Sequence, residues 1–139
     1  MKEILAVIRM NRTGATKKAL VEAGVAGFTA VKVLGRGKLV TDPEVIASRK
    51  AQLMSLSVDD VTELGATEKL VTGLLDDTRL FPRRLFTILV HDEDVPRVVE
   101  AIMAVNRTDC HAGDGKIFVL PMADAVRVRT GEAGEAAIW

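Results

Sequence analysis

Two glycines, a carboxylate and a lysine stand together in Gly113-Asp-Gly-Lys116, where residue types and spacing suit the binding of an anion. Glycine lets backbone N–H groups approach an anion closely, and the lysine adds a point charge. Eleven residues after Lys116, Arg127 and Arg129 alternate with a valine, so that an extended strand would carry both guanidinium groups on one face. The pattern predicts that the glycine turn binds phosphate and that Arg127 and Arg129 form a guanidinium clamp on it. It therefore predicts a nucleotide site. Asp114 is expected either to touch the ligand or to shape its own turn.

Two common phosphate-binding motifs do not account for this stretch. A P-loop needs a glycine where this chain has Cys110, and a serine or threonine after the lysine, where it has Ile117. A dinucleotide fingerprint needs three spaced glycines, whereas Gly35-Arg-Gly37 supplies two. The first motif is therefore excluded and the second is weak.

Charge is distributed unevenly along a chain whose formal net charge is zero. Residues 39–82 contain eight acids and four bases, which leaves a net charge of +4 on the remainder. This asymmetry suggests a basic, ligand-holding body with an acidic appendage. Because the chain has four Phe, one Trp and no Tyr, and no large basic excess, we expect no nucleic-acid partner.

Length and composition predict one domain, covering residues 1–139, with 48% hydrophobic residues to fill its core. No run approaches the roughly 18 apolar residues of a membrane span, so we expect no membrane insertion. The single cysteine fits a reducing, cytoplasmic compartment. His91 and His111 do not make a metal site by themselves, and none is predicted.

Hydrophobic periodicity predicts the order β-α-β-β-α-β. A first helix is expected between Thr13 as N-cap and Gly24 as stop, and a second helix follows the acidic residues 92–94. The apolar stripe of the second helix is Val95, Val98, Val99, Ile102 and Val105. The predicted strands are 2–9, 28–34, 84–90, 116–120 and a short final strand, 126–129. This order is that of the ferredoxin-like α+β fold, whose helices cover one face of the sheet, so the bare face predicts a homo-oligomer.

The connection formed by residues 39–81 is too long for an ordinary loop. Asp42-Pro43 and Ser57-Val-Asp-Asp60 are helix-start signals, each followed by apolar residues. The two short helices that they predict either pack on the body or dock into a partner, and we favour the partner.

Several motifs together resemble the P-II nitrogen-regulatory signalling proteins: Lys116-Ile-Phe-Val119 with the glycine turn before it, Arg127-Val-Arg-Thr-Gly-Glu132, Lys2 to Arg9, and Gly35-Arg-Gly37. The resemblance covers residues 1–38 and 82–135. It implies a ferredoxin-like fold, a trimer with ATP or ADP in the clefts between subunits, and an extended, partly helical loop at residues 39–81 that contacts a regulated target. It also implies a regulator rather than an enzyme.

The resemblance implies a set of nucleotide-binding positions and a smaller set for the effector 2-oxoglutarate. The nucleotide positions are Thr29, Gly35, Gly37, Lys38, Leu89, Gly113, Asp114, Gly115, Lys116, Arg127 and Arg129, and the effector positions are Arg83, Ala112 and Gly113. Magnesium is expected with ATP, but Leu39 replaces a glutamine that helps the family coordinate it, so 2-oxoglutarate binding stays open. With no tyrosine in the chain, the family's modification of a loop tyrosine is excluded.

The long loop, Gly35-Arg-Gly-Lys38, Phe81-Pro-Arg-Arg84 and Val105-Asn-Arg-Thr108 look most similar to the branch associated with nitrogenase operons. That branch implies either a homotrimer or a mixed assembly with a related subunit, and dinitrogenase as the target. Alternatives are regulation of an ammonium transporter or another enzyme, a weak ATPase using Asp114 and Lys116, and a structural trimer that has lost its ligands.

Overall fold

The structure, a computed structural model, describes residues 1–36, 80–108 and 113–138, together with single positions at 44, 47 and 51. Within residues 1–36, 80–108 and 113–138, four strands and two α-helices follow the predicted order. They are β1 (Lys2–Arg9), α1 (Thr13–Glu22), β2 (Phe28–Gly35), β3 (Phe81–Val90), α2 (Val95–Asn106) and β4 (Gly115–Pro121). Short 3₁₀ turns lie at Met10–Arg12, Asp92–Asp94 and Gly134–Ala137.

The four strands form one sheet in the order β2-β3-β1-β4, as expected for the ferredoxin-like α+β fold. Strands β1 and β4 are antiparallel, in a register that pairs Ile8 with Gly115 and Leu5 with Phe118. The core lies between one face of this sheet and the two helices. Its fully buried members are Ile4, Ala6, Ile8, Leu20, Phe86, Ile88, Val90, Val98 and Ile102.

The opposite face of the sheet carries apolar side chains that are exposed or half-buried in the single chain. Leu5 and Val7 alternate with the buried residues of β1 and are half-buried. Val31 on β2 and Phe118 on β4 are 45% and 47% exposed. An apolar surface of this kind is what the sequence led us to expect on the bare side of the sheet.

The chain divides into two compact units, which are described separately. The first contains residues 1–32 and 84–139, and the second contains residues 33–83. In the second unit the structure describes the ends of β2 and β3, with Phe81 and Pro82 buried. Glu44, Ala47 and Ala51 have helical backbone, in line with the helix predicted after Asp42-Pro43. The rest of the predicted loop, including the second predicted helix, lies outside the described residues.

The start of α1 differs from the prediction, whereas its end agrees with it. Thr13 is the first helical residue rather than the N-cap, and its hydroxyl donates to the Met10 carbonyl at 2.7 Å. The 3₁₀ turn before the helix supplies this acceptor, so the side chain closes that turn and does not cap α1. Gly24 ends the helix with φ of +72°, a conformation that favours glycine.

The predicted final strand over residues 126–129 is wrong. Val126 makes only an isolated bridge to Ala133, and the chain turns between them. The turn is closed by hydrogen bonds from Thr130 N and Gly131 N to the Arg127 carbonyl, at 3.3 and 2.8 Å. Gly131 has φ of +74°, which permits this reversal. A glycine four residues after Arg127 therefore ended the strand where valine and arginine alternation favoured its continuation.

Candidate functional site

The glycine turn at the start of β4 has the backbone that the sequence predicted for an anion-binding loop. Gly113 and Gly115 have φ of +99° and +124°, in the region that side chains disfavour. A Cβ on Gly115 would lie 2.1 Å from the carbonyl oxygen of Val7 on the neighbouring strand. Glycine is therefore required at position 115 both by conformation and by the approach of β1.

Asp114 is held by two other parts of the chain. Its carboxylate accepts hydrogen bonds from the backbone N and the hydroxyl of Thr108, each at 2.8 Å. It also forms an ion pair with the Arg9 guanidinium at 2.6 Å, and Arg9 Nε donates to the Gly113 carbonyl at 3.1 Å. Of the two roles predicted for Asp114, this geometry is that of a residue that shapes its own turn. Asp114 thereby connects the end of β1 with the segment that follows α2.

Arg9 and Thr108 were not recognised as site residues from the sequence. Arg9 ends the apolar run of β1, and Thr108 follows the second helix, so the two are far apart in the chain. The register that pairs Ile8 with Gly115 brings Arg9 beside Asp114. The available signal for Arg9 was its charge: a basic residue at the end of an apolar strand could pair with the acidic Asp114 of the glycine turn.

Lys116 is exposed and pairs in register with Val7 of β1. It alternates with Ile117, which packs against the core, and so occupies a strand position on the uncovered face of the sheet. Within the described ranges, Lys116 forms no ion pair. The ammonium group is therefore available for a ligand.

The backbone at Arg127 and Arg129 differs from the extended strand predicted for the clamp, and their binding of phosphate stays a prediction. The two residues lie in the turn described above, so they do not share one face of a strand. The Arg127 guanidinium pairs with Glu132 at 2.6 Å and donates to the Ala136 carbonyl at 3.0 Å, while Arg129 is exposed. In this chain, Arg127 thus stabilises the C-terminal segment, and a phosphate would have to compete with Glu132 for it.

The other expected nucleotide and effector positions fall into three groups. Thr29 on β2 is exposed, and Leu89 on β3 is half-buried and alternates with the core residues Ile88 and Val90. In the second unit, the site of a Cβ on Gly35 lies 3.7 Å from Cγ of Arg83, an ordinary contact distance. Gly37, Lys38 and Ala112, as well as Leu39, lie outside the described residues.

The C-terminal segment is also anchored to the N-terminus by a group of charges. The Met1 ammonium donates to Asp92 and, at 2.8 Å, to Glu135, and Glu135 also contacts the His91 ring. These hydrogen bonds lower the pKa of the Asp92 and Glu135 carboxyl groups and raise the pKa of the Met1 amine. The sequence placed Asp92 just before the second helix and did not predict this cluster, because its members come from three distant parts of the chain.

Two absences apply to the part of the chain that the structure describes. Residues 1–36, 80–108 and 113–138 contain no group of three potential metal ligands. Neither helix in the same ranges is long and apolar enough to cross a membrane.

Comparison with known proteins agrees with this fold. Residues 1–132 match the family model of the nitrogen regulatory protein P-II. The nitrogen fixation nifHD region glnB-like protein 2 of Methanococcus maripaludis is 41% identical over 138 residues, covering 99% of this chain and 100% of that protein. The protein of the same name from Methanobacterium ivanovii is 43% identical, covering 99% of both chains. The nitrogen regulatory protein P-II of Cereibacter sphaeroides is 33% identical over 138 residues, covering 99% of this chain and 100% of that protein.

The family model and these relatives identify the class of this chain as regulatory signalling proteins rather than enzymes. The chain belongs to the P-II family. Its similarity to the nifHD-region proteins matches the nitrogenase-associated branch that the motifs indicated.

Proposed function

We propose that this P-II protein binds ATP or ADP through the turn of residues 113–116, as a trimer with the nucleotide between subunits. The observation that carries the proposal is the geometry of the turn: two glycines in left-handed backbone, fixed by Arg9 and Thr108 through Asp114, beside an exposed lysine. A fixed, glycine-lined turn presents backbone N–H groups to phosphate with little reorganisation, and Lys116 supplies the charge. Magnesium would accompany ATP.

Calorimetric titration with ATP and with ADP tests this proposal. Lys116→Met should weaken ATP binding by about 10- to 150-fold, since a hydrogen bond to a charged group contributes about 1.5–3 kcal/mol. Lys18→Met is the matched control, because Lys18 is 78% exposed on α1 and lies outside the turn. Equal ATP affinity in the two variants would remove Lys116 from the site.

A weak ATPase is less well supported. The only carboxylate in the turn, Asp114, is already engaged by Arg9 and by Thr108. A general base must reach the attacking water, and a carboxylate held in this way is poorly suited to that role. Steady ATP turnover that is lost in Asp114→Asn, with ATP binding kept, would favour the enzyme instead.

We further propose that residues 39–81 carry the output and that the target is a nitrogenase component. The names of the nifHD-region relatives support this target, and an assembly with a related subunit is compatible with them. Deleting residues 42–77 should leave ATP binding intact and abolish inhibition of purified dinitrogenase. If the full chain does not change dinitrogenase activity with any combination of ATP, ADP and 2-oxoglutarate, an ammonium transporter or another enzyme becomes the preferred target.

Binding of 2-oxoglutarate is proposed to act through Arg83, at the junction of the loop and β3. A guanidinium can grip a carboxylate in bidentate geometry, and an effector shifts the loop only through different affinities for its conformations. Hydrogen exchange over residues 39–81, with ATP alone and with ATP plus 2-oxoglutarate, tests this coupling. Identical protection in the two conditions would indicate that the loop does not respond to this effector, as Leu39 suggests.

A further inference from the structure

The glycine turn depends on two residues that lie at the ends of other elements. Arg9, which pairs with Asp114, is the last residue of β1. Thr108, which donates twice to the same carboxylate, lies two residues after Asn106, the last residue of α2. Asp114 can therefore hold the turn only as firmly as the end of β1 and the end of α2 are themselves held. A pair of buried side chains connects both ends.

Thr16 on α1 and Asn106 on α2 form this pair, and they are 0% and 5% exposed. Nδ2 of Asn106 donates to Thr16 Oγ1 at 2.9 Å and to the Ile102 carbonyl at 2.8 Å. The Thr16 hydroxyl in turn donates to the Arg12 carbonyl at 2.9 Å. These three hydrogen bonds connect the last turn of α2 with the residue that precedes α1.

On the side of β1, a closed turn connects the pair with Arg9. Residues Met10–Arg12 form the 3₁₀ turn between β1 and α1. The hydroxyl of Thr13 donates to the Met10 carbonyl at 2.7 Å, and the backbone N–H of Thr13 donates to the same carbonyl. Because two hydrogen bonds close this turn, the position of the Arg12 carbonyl is coupled to the position of Arg9.

On the side of α2, a single residue connects the pair with Thr108. Arg107 leaves the helix with extended backbone, at φ of −64° and ψ of 135°, while its N–H donates to the Met103 carbonyl at 2.9 Å. The orientation of the last helical turn, which Asn106 fixes, therefore determines where Thr108 lies. The contacts form a closed ring that runs from Asp114 through Arg9, the 3₁₀ turn, Thr16, Asn106 and Thr108 back to Asp114.

The buried pair is better suited to orientation than to stability. Asn106 Oδ1 is buried without a hydrogen-bond partner, which costs free energy that an apolar side chain of similar volume would not cost. The fully buried apolar residues of the two helices are Leu20, Val98 and Ile102, and apolar contacts are not directional. Hydrogen bonds require narrow angles, so the pair restricts the rotation of the helix ends more than apolar contacts do.

We propose that Thr16 and Asn106 are positioning residues for the glycine turn, which orient Arg9 and Thr108 and thereby order Asp114 for phosphate binding. This inference rests on the proposed binding of ATP or ADP by the turn, and it adds two residues that contact no ligand. The affinity for nucleotide is then set in part by a contact between the two helices.

An apolar replacement of the pair separates positioning from stability. Thr16→Val combined with Asn106→Leu removes the side-chain hydrogen bonds of the pair and also the unpaired Oδ1. The urea midpoint should be unchanged or higher. Without nucleotide, hydrogen exchange at the amides of residues 113–117 should be about tenfold faster, and ATP should bind about tenfold more weakly, within the range of couplings in one hydrogen-bond network. Unchanged exchange at these amides would overturn the proposal.

Single variants decide the matter if the double variant does not fold. Thr16→Ser keeps the hydroxyl and should keep the exchange rates and the ATP affinity of wild type. Thr16→Val, which is close to threonine in shape, should show faster exchange at residues 113–117 and weaker ATP binding. Equal behaviour of the serine and valine variants would show that the hydroxyl does not position the turn.

Val98→Ala is the matched control for lost packing, because Val98 is fully buried on α2 about two turns before Asn106. This variant should lower the urea midpoint and leave exchange at residues 113–117 as in wild type. If exchange there rises as much in Val98→Ala as in Thr16→Val, overall stability controls the turn and the positioning role is refuted.

The Asp114→Ala background tests the route and separates it from the proposed function. Because the ring acts through Asp114, Thr16→Val should add little to the faster exchange of Asp114→Ala, and additive effects would overturn the route. Faster exchange in Thr16→Val with unchanged ATP affinity would refute a role in nucleotide binding. Faster exchange in a protein whose wild type binds neither ATP nor ADP would refute the proposed function and leave the ordering of the turn by Thr16 established.

Discussion

The glycine turn before β4 and the C-terminal segment of residues 124–138 are held in place by different physical means. In the turn, backbone conformation and the packing of β1 against β4 leave one arrangement for residue 115. In the C-terminal segment, exposed ion pairs and side-chain hydrogen bonds, such as Arg127 with Glu132, fix the chain. Steric constraint tolerates no substitution, whereas exposed ion pairs can be exchanged for other partners at small cost. We therefore expect the turn to be the fixed half of a nucleotide site and the C-terminal segment to be the adjustable half.

The largest effect should come from Gly115→Ala. The new Cβ would lie 2.1 Å from the Val7 carbonyl oxygen, and alanine would have to adopt φ of +124°. We expect a loss of about 3 kcal/mol or more in the free energy of unfolding, from strain and from separation of β4 from β1. Urea denaturation measures this loss.

Gly14→Ala is the matched control for Gly115→Ala. Nothing lies within 4 Å of the Cβ position at Gly14, which is in the first turn of α1. Alanine should increase stability there by up to about 1 kcal/mol through helix propensity. If both variants lose stability to the same extent, the steric account of the turn is wrong.

The next effect should come from Asp114→Ala, which removes the acceptor shared by Arg9 and Thr108. We expect a loss of about 1–2 kcal/mol in unfolding free energy, at the lower end for charge-assisted hydrogen bonds because the site is partly exposed. ATP affinity should fall with it as the turn becomes less ordered. Hydrogen exchange at the amides of residues 113–117 measures the ordering, and unchanged protection there would contradict a pinning role for Asp114.

A smaller difference should separate Arg127→Ala from Arg129→Ala. Both should weaken ATP, by about 1.5–3 kcal/mol each if the clamp forms across subunits. Only Arg127→Ala should also raise hydrogen exchange in residues 124–138, because only Arg127 pairs with Glu132 and Ala136. Glu132→Gln separates the role of Arg127 in holding the C-terminal segment from its role in binding phosphate. This variant should raise hydrogen exchange in residues 124–138 while leaving both arginines able to bind phosphate. Unchanged ATP affinity in both arginine variants would remove the clamp from the site.

The smallest effect concerns pH and the charges around Met1. The lowered pKa values of Asp92 and Glu135 stabilise the folded state at neutral pH, and this contribution is lost as pH falls through those lowered values. The raised pKa of the Met1 amine stabilises the folded state below pH 8.0, the ordinary pKa of this group. This contribution is lost as pH rises through the raised pKa. Anchoring of the C-terminal segment should therefore be strongest between about pH 5 and pH 8.

Exchange at the Gly134 amide, which donates to the Ala125 carbonyl and to the Asp124 carboxylate, each at 2.9 Å, reports this anchoring across pH. Glu135→Gln should flatten its pH dependence, whereas Glu22→Gln, on the exposed end of α1, should not. The same pH profile in wild type and in Glu135→Gln would exclude Glu135 from the anchor.

Local signals in the sequence determined the element order, the apolar face of α2, the stop at Gly24 and the positions of the glycines in the turn. Periodicity reports which face of a helix or strand is apolar, and glycine marks left-handed backbone, so both can be read without a partner residue. The prediction of a strand over residues 126–129 was wrong because alternating valine and arginine outweighed the glycine at 131. For the nucleotide positions, the sequence determined candidates, and their roles stay predictions.

Only the tertiary structure decided which residues meet. Arg9 reaches Asp114 through the register of β1 against β4, and Asn106 reaches Thr16 through the packing of α2 on α1. The engagement of Arg127 by Glu132 likewise depended on a turn rather than on a strand. Contacts of this kind depend on register, helix packing and turn geometry, which combine terms from many residues. No single residue type or spacing in the chain encodes them.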